Sequence, residues 1–208
     1  MGEDKLFADV AGRPLIAHTL AAGAASAAFV RVVIAAPAHR HTLLAELAAT
    51  AGFTDVVLTL GGARRQDSVR AALEEVGDAE LVAVHDAARP LCAPSLFVDC
   101  VAAAREHGAA TAAIPVVDSI KRGAAGVIVE SLDRDGLYAI QTPQAFTREL
   151  LVKGHRQASA ADVHADDDAA LVEALGVTVH IVPGSPDNFK VTHPRDLVLL
   201  RALVADRS

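Results

Sequence analysis

The sequence predicts an α/β fold built on a mostly parallel sheet, and three observations carry that expectation. Short runs rich in Val and Ile alternate with longer stretches whose apolar residues recur at helical spacing. Strands separated by helices in this way form βα units, which pair in parallel and cover both faces of the sheet. The composition agrees: about half the residues are apolar (52%) but only 3% are aromatic, so helix–strand contacts must be made by small side chains, mainly alanine. At 208 residues the chain can bury a sizeable core, and no internal repeat or low-complexity linker divides it. One domain over residues 1–208 is the expectation.

The elements follow in order. The opening, "MGEDKLFADVAGRPLIAHTL", already reads as a helix by 13–25, with Leu15, Ile16 and Leu20 on one face. No strand is legible before it, although an α/β domain usually begins with a buried strand feeding its first functional loop. "FVRVVIAAP" (29–37), "DVVLTL" (55–60), "ELVAVHD" (80–86) and "AATAAIPV" (109–116) are strand-like. Helical patterns fill 38–51, 66–76 and 93–107. Residues of about 117–137 break the rhythm, with turn signals at "RGAAG" and "RDG" flanking the alternation of "GVIVESL". These predict a protruding β-hairpin arm. Such a ribbon is marginal alone and gains stability by pairing with a second subunit. The polar run Gln141-Thr142-Pro143-Gln144 suits hydroxyl recognition or an ordinary turn. Helices near 147–156 and 167–176, a strand at 177–184 and a helix from about 194 complete the chain.

Charge narrows the function. The net charge of −7, with no basic run, argues against a nucleic-acid groove, while leaving room for small anionic ligands held by a local cation cluster. Of the 19 Lys and Arg residues only Lys5, Lys121, Lys153 and Lys190 are lysines, which marks positions where a compact point charge is kept. Cys92 and Cys100 match no metal-ligand spacing and do not read as a structural pair. With no signal peptide and no apolar run long enough for a membrane span, the expected compartment is the cytoplasm.

Ligands of open α/β sheets bind beyond the carboxyl ends of the strands. "VHDAARP" (84–90) places Asp86 there, with Arg89 three residues on, either facing a ligand or simply paired with each other. "GGARRQDSV" (61–69) joins a strand to a helix through two glycines, with Ser68 near the helix start; backbone there can approach an anion, or the loop can be an ordinary capped turn with solvated arginines. Lys190, in "SPDNFKVT", precedes the last helix, and with Asp187 and Asn188 it could face a phosphate, or all three could be plain loop residues. The triple aspartate of "ADDDAALVEALG" suits a helix N-terminus on electrostatic grounds alone. Of nine histidines only His85, beside Asp86, stands in a suggestive place.

Taken together, "VHDAARP", "GG…R.DSV", "DSIKR", "DRDGL…QTPQ.F", "DDDAALVEALG" and "DNFKVT" resemble, in order and over essentially the whole chain, the 2-C-methyl-D-erythritol 4-phosphate cytidylyltransferases of the non-mevalonate isoprenoid pathway. The resemblance implies a three-layer, Rossmann-like nucleotidyltransferase sheet whose arms interlock in a homodimer. It implies transfer of CMP from CTP to a sugar-alcohol phosphate, with Mg²⁺ carried by the triphosphate and no metal held by protein residues. By the same resemblance Lys5 stabilises charge at the α-phosphate, and Arg134 and Lys190 position the acceptor phosphate. Asp86 contacts acceptor or nucleotide near the metal, and Arg89 and Ser119 reach the partner's acceptor site. Gly62 and Ser68 hold cytosine and ribose, while Thr142 and Asp166 line the substrate site. Relatives acting on ribitol phosphate share much of this pattern, and Asp166 replaces a threonine that helps hold the acceptor in some relatives, so the acceptor stays open between polyol phosphates. Family members carry a strand and a glycine-rich triphosphate loop before the lysine. Met1-Gly2 matches the end of that loop, so the strand and loop are expected in front of Met1, and a catalytically silent truncated homologue is the third reading.

Overall fold

The computed structural model describes residues 3–206; Met1 and Gly2, matched above to the end of the glycine-rich loop, lie outside them. A 3-10 turn at Glu3–Phe7 leads into a tiny antiparallel pair, β1 (Asp9–Val10) and β2 (Arg13–Pro14). The sequence reading missed this pair. Its turn is Ala11-Gly12, both with positive φ (50° and 79°), the geometry of a tight hairpin without the usual Asn-Gly signature. Helix α1 (Leu15–Ala25) follows, then β3 (Val32–Ala35), α2 (His41–Ala51), β4 (Val56–Thr59), α3 (Arg65–Leu73), β5 (Leu81–Val84) and α4 (Pro94–His107). The second half comprises β6 (Ala109–Pro115), the hairpin β7 (Ile120–Ala124) and β8 (Val127–Leu132), β9 (Tyr138–Thr147), α5 (Arg148–Ala160), α6 (Asp168–Glu173), β10 (His180–Pro183) and α7 (Pro194–Asp206).

Two findings refine the expected sheet. First, "YAIQTPQAFT", read above as a polar run or turn, is the longest strand, β9. It runs antiparallel to both neighbours in the order β10-β6-β9-β5, while β5, β6 and β10 share one direction. Second, β3 and β4 pair in parallel only with each other, and no described strand bridges β3 to β5. Side chains rather than a ladder bind that pair to the rest. Ile16 and Leu20 of α1 and Leu44 and Ala48 of α2 pack with Val32, Ile34, Val56 and Leu58.

The four-stranded sheet is buried on both faces, and residues that alternate along a strand serve opposite faces. Ala110, Ala112 and Ala145 pack under Phe97, Cys100 and Ala104 of α4, whereas Ala109 and Phe146 pack with Leu151 of α5 and Ala169 and Val172 of α6. Alanines on the strands let α4 lie close, which explains how a chain so poor in aromatics fills its core. The arm forms as expected: β7 and β8 turn at Ala125-Gly126, again with two positive φ values. Val127, Ile128 and Val129 on it are exposed. Cys92 and Cys100 are free and buried, and burial pushes both thiols up to about 12. Among the described residues no helix is long and apolar enough to cross a membrane.

Candidate active site at the end of the central strand

Strand β5 delivers Asp86 to its carboxyl end, and three neighbouring segments are tied to it there. The Asp86 N–H donates to Thr142 Oγ1 on β9 (3.0 Å), and the Arg89 N–H donates back to the Asp86 carbonyl (3.0 Å), closing a turn. The loop before α7 is stitched to that turn. Arg89 Nη1 donates to the Asn188 carbonyl (2.7 Å), the Val191 N–H donates to the Ala88 carbonyl (2.8 Å), and buried Asn188 Nδ2 donates to the Thr142 carbonyl (2.9 Å). This stitching sets Lys190 Nζ 3.0 Å from Asp86 Oδ2. The third segment, the start of α3, supplies Arg65, whose Nε lies 3.2 Å from Asp86 Oδ1. Arg89 Nε completes the set at 3.5 Å from Oδ2, an ion pair rather than a hydrogen bond.

Asp86 thus has a side chain only 12% exposed and three cations around it. Burial disfavours its charged form, but Lys190, Arg65 and Arg89 together outweigh that and hold its pKa down to about 2. It stays ionised and cannot act as a proton donor near neutrality. His85 behaves oppositely. Its ring lies edge-on to Phe97 and its Nδ1 is 3.0 Å from Thr142 Oγ1, and desolvation pushes its pKa down to about 4. A neutral, internally bonded imidazole is no proton carrier either.

Thr142 is buried, and its Oγ1 accepts from the Asp86 N–H and lies against His85 Nδ1, so it braces Asp86 from behind. The flanking glutamines are interior hubs: Gln141 Oε1 accepts from Asn188 Nδ2 (3.1 Å), and Gln144 Oε1 accepts from the N–H groups of Asp168 and Ala169 (3.0 and 3.1 Å). Ser68 Oγ accepts from the Gly62 N–H (3.0 Å) and donates to the Arg64 carbonyl, so it shapes the glycine loop. Gly62 has no room for a side chain, since a Cβ there would lie 2.3 Å from Asp67 Cβ. The triple aspartate divides its work. Asp167 caps α6 by accepting from the Ala170 N–H (2.9 Å), Asp166 is exposed, and Asp168 is fully buried against Arg65 and His155.

Arg65 and Asp168 are the residues sequence reasoning missed. The run "RR" gives no sign of which arginine turns inward, and Asp168 looked like one more helix-opening carboxylate. Of the residues expected at the site, Asp86, Arg89 and Lys190 come together, with Gly62 on the adjoining loop and Ser68 in the first turns of α3. Lys5 is half-buried on the N-terminal 3-10 turn, and its neighbour Leu6 packs with Leu91 and Val191, at the same end of the molecule. Ser119 and Arg134 are exposed at the arm's base, where Arg134 Nη1 donates to the Val117 carbonyl. Among the described residues neither is bonded to the Asp86 cluster. A cavity of about 630 Å³ opens between α5 and α6 and is lined by Asp166 and Asp167 but not by Asp86, Arg89 or Lys190.

Three cations, Arg65, Arg89 and Lys190, against two carboxylates, Asp86 and Asp168, leave the cluster with a net charge of about +1. Such an arrangement of cations interleaved with carboxylates suits the holding of phosphates. Comparison with known proteins points the same way. A family profile described as 2-C-methyl-D-erythritol 4-phosphate cytidylyltransferase matches residues 1–206. Curated relatives of that description include one from Synechococcus sp. (strain WH7803), 45% identical over all of this chain and 94% of its own length. Another, from Bacillus mycoides (strain KBAB4), is 40% identical over 98% of this chain and 90% of its own. The crystal structure of the enzyme of that description from Thermus thermophilus superposes with a TM-score of 0.82 at 36% identity, covering 97% of this chain and 94% of the other.

Proposed function

This chain belongs to the 2-C-methyl-D-erythritol 4-phosphate cytidylyltransferase family, and on that premise we propose that it transfers the CMP moiety of CTP to 2-C-methyl-D-erythritol 4-phosphate, releasing pyrophosphate. The observation that carries the reading is the cation cluster gathered on Asp86 at the carboxyl end of β5. In the reaction an oxygen of the acceptor phosphate attacks the α-phosphorus of CTP. A new P–O–P linkage forms as the bond to the β-phosphate oxygen breaks, and pyrophosphate leaves with that electron pair. The nucleophile is already ionised, so no general base is required. Catalysis rests on holding two polyanions in line and neutralising charge as it shifts to the leaving group. Neither Asp86, ionised, nor His85, neutral, has a proton to exchange at working pH, which fits a transfer of this kind.

Lys190 is placed to take the acceptor phosphate, with Asp86 fixing its ammonium, and the glycine loop at Gly62 approaches the nucleotide through its backbone. Lys5 acts at the α-phosphate. Mg²⁺ comes with the CTP phosphates. Asp86 is a lone carboxylate ringed by cations, a donor set that fits a metal bringing its own phosphate ligands better than one caged by protein. When bound, the ion would supply charge neutralisation on the triphosphate. The protein works as a homodimer. Val127, Ile128 and Val129 are 62%, 70% and 56% exposed on a two-stranded ribbon, apolar surface on both faces of the arm that pairing with a second copy would cover. The arm then brings Ser119 to the partner's acceptor site, and Arg134 at its base helps to position the acceptor phosphate. The two buried thiols, free rather than bridged, fit a cytoplasmic setting.

An acceptor panel tests the reading: CTP and Mg²⁺ with methylerythritol phosphate, ribitol phosphate or glycerol phosphate, scored by pyrophosphate release. Release with methylerythritol phosphate is expected, and release with ribitol phosphate alone would move the protein to the other branch.

A further inference from the structure

His155 and Asp168 take no part in the transfer as described, yet their side chains are only 2% and 1% exposed. A carboxylate and an imidazole sealed in a core must be there for partners, because burying either alone is costly. His155 Nε2 donates to Asp168 Oδ1 at 2.9 Å, and Arg65 Nη1 donates to Asp168 Oδ2 at 2.7 Å. Arg65 Nε turns the other way, to Asp86 Oδ1 at 3.2 Å. One continuous chain of bonds therefore runs from the α5–α6 packing to the strand-end carboxylate.

The two ends of this chain differ in how firmly they are held. Asp168 is pinned independently, because its N–H and that of Ala169 both donate to the buried Gln144 side chain. Arg65 is long, its side chain is 30% exposed, and its Nη2 is buried without a hydrogen-bond partner. Lys190 and Arg89 both draw on Asp86 Oδ2, whereas Arg65 is the side chain that holds Oδ1. Without Asp168, Arg65 would be anchored to Asp86 alone, and the carboxylate would be free to rotate with it.

We propose that Asp168 and His155 are positioning residues: they clamp one end of Arg65 so that its other end fixes Asp86, and through Asp86 the ammonium of Lys190. The effect on turnover rests on the cytidylyltransferase reading above; the clamp itself does not. Misplacing reacting groups by about 1 Å can cost on the order of a hundredfold in rate, so a loosened Arg65 should be visible in turnover.

The test has two readouts. In the ligand-free protein, Arg65 Nε–H should give a resolved, slowly exchanging nitrogen-15 NMR signal that broadens or vanishes in Asp168→Asn. In turnover, Asp168→Asn should lower kcat by about tenfold to a hundredfold while the KM for CTP moves less than about threefold. If Asp168 acts through Arg65, the double variant Asp168→Asn with Arg65→Gln is no worse than Arg65→Gln alone. His155→Gln, which can still donate to Asp168, should keep most of the kcat that His155→Leu loses. Additive losses, an unchanged Arg65 signal, or equal deficits in the two His155 variants would each overturn the proposal. Should Asp168→Asn not fold, Arg65→Lys carries the test, because a single ammonium cannot reproduce the fork that spans both carboxylates; an unchanged kcat there would overturn it too. If the unaltered protein turns over CTP with no acceptor phosphate, the functional reading falls, and the Arg65 signal by itself decides the clamp.

Discussion

Replacing His85 by Asn should flatten the acid limb of the protein's stability. The imidazole titrates near 6.5 in an unfolded chain but is pushed down to about 4 in the folded one. Above about pH 7 both states are neutral there and His85 contributes no pH dependence. As pH falls through 6.5 the unfolded chain takes up a proton that the folded chain refuses, so unfolding gains ground until the folded pKa near 4 is reached. The gap of roughly 2.5 units, at about 1.4 kcal/mol per unit, corresponds to about 3 kcal/mol lost over that window. Asp86 acts in a separate window. Its folded pKa of about 2 lies below the ordinary 3.8, so its contribution is present above 3.8 and is lost only as pH falls further. Denaturant titrations of the unaltered protein and His85→Asn at about pH 7.5 and about pH 4.5 isolate the His85 share, since the other histidines are common to both. Asn can still bond the Thr142 hydroxyl, and its lost packing on Phe97 offsets both pH values alike. The variant should lose about 2–3 kcal/mol less than the unaltered protein between the two pH values. Equal losses would refute the reasoning, and with it the statement that His85 stays neutral beside the site.

Other outcomes follow from the same geometry. Lys190→Ala should cut kcat/KM by about a hundredfold or more with little change in Tm, because the 42% exposed side chain adds charge rather than packing and Asp86 keeps Arg65 and Arg89; steady-state kinetics beside a thermal melt checks it. Gly62→Ala forces the loop away from Asp67, and should cost about 1–3 kcal/mol in denaturant unfolding and raise the KM for CTP. Ile128→Lys, at a position 70% exposed on the arm, should leave the fold intact and shift sedimentation toward monomer.

The elements legible in the sequence were those whose burial writes a period. Leu44 and Ala48 on α2 and the Val and Ile runs of β3 and β4 show one face or one strand each, and the structure places them there. Strand β9 was not legible, because its buried segment is polar: Gln141, Thr142 and Gln144 are inside as hydrogen-bond hubs, and a hydrophobic period cannot register them. The site divides in the same way. Asp86 stood out because it ends an apolar strand, and Lys190 because lysine is scarce. Arg65 did not, because its role depends on two carboxylates 21 and 103 residues away along the chain.

Phosphorus-31 NMR of the protein with CTP, Mg²⁺ and 2-C-methyl-D-erythritol 4-phosphate tests whether the cluster on Asp86 serves cytidylyl transfer. The three CTP resonances and the acceptor monoester should give way to the paired signals of a diphosphate diester and to free pyrophosphate, and this conversion should collapse in Lys190→Ala. Unchanged CTP, CMP formed without a diester, or conversion that is indifferent to Lys190 would contradict that role.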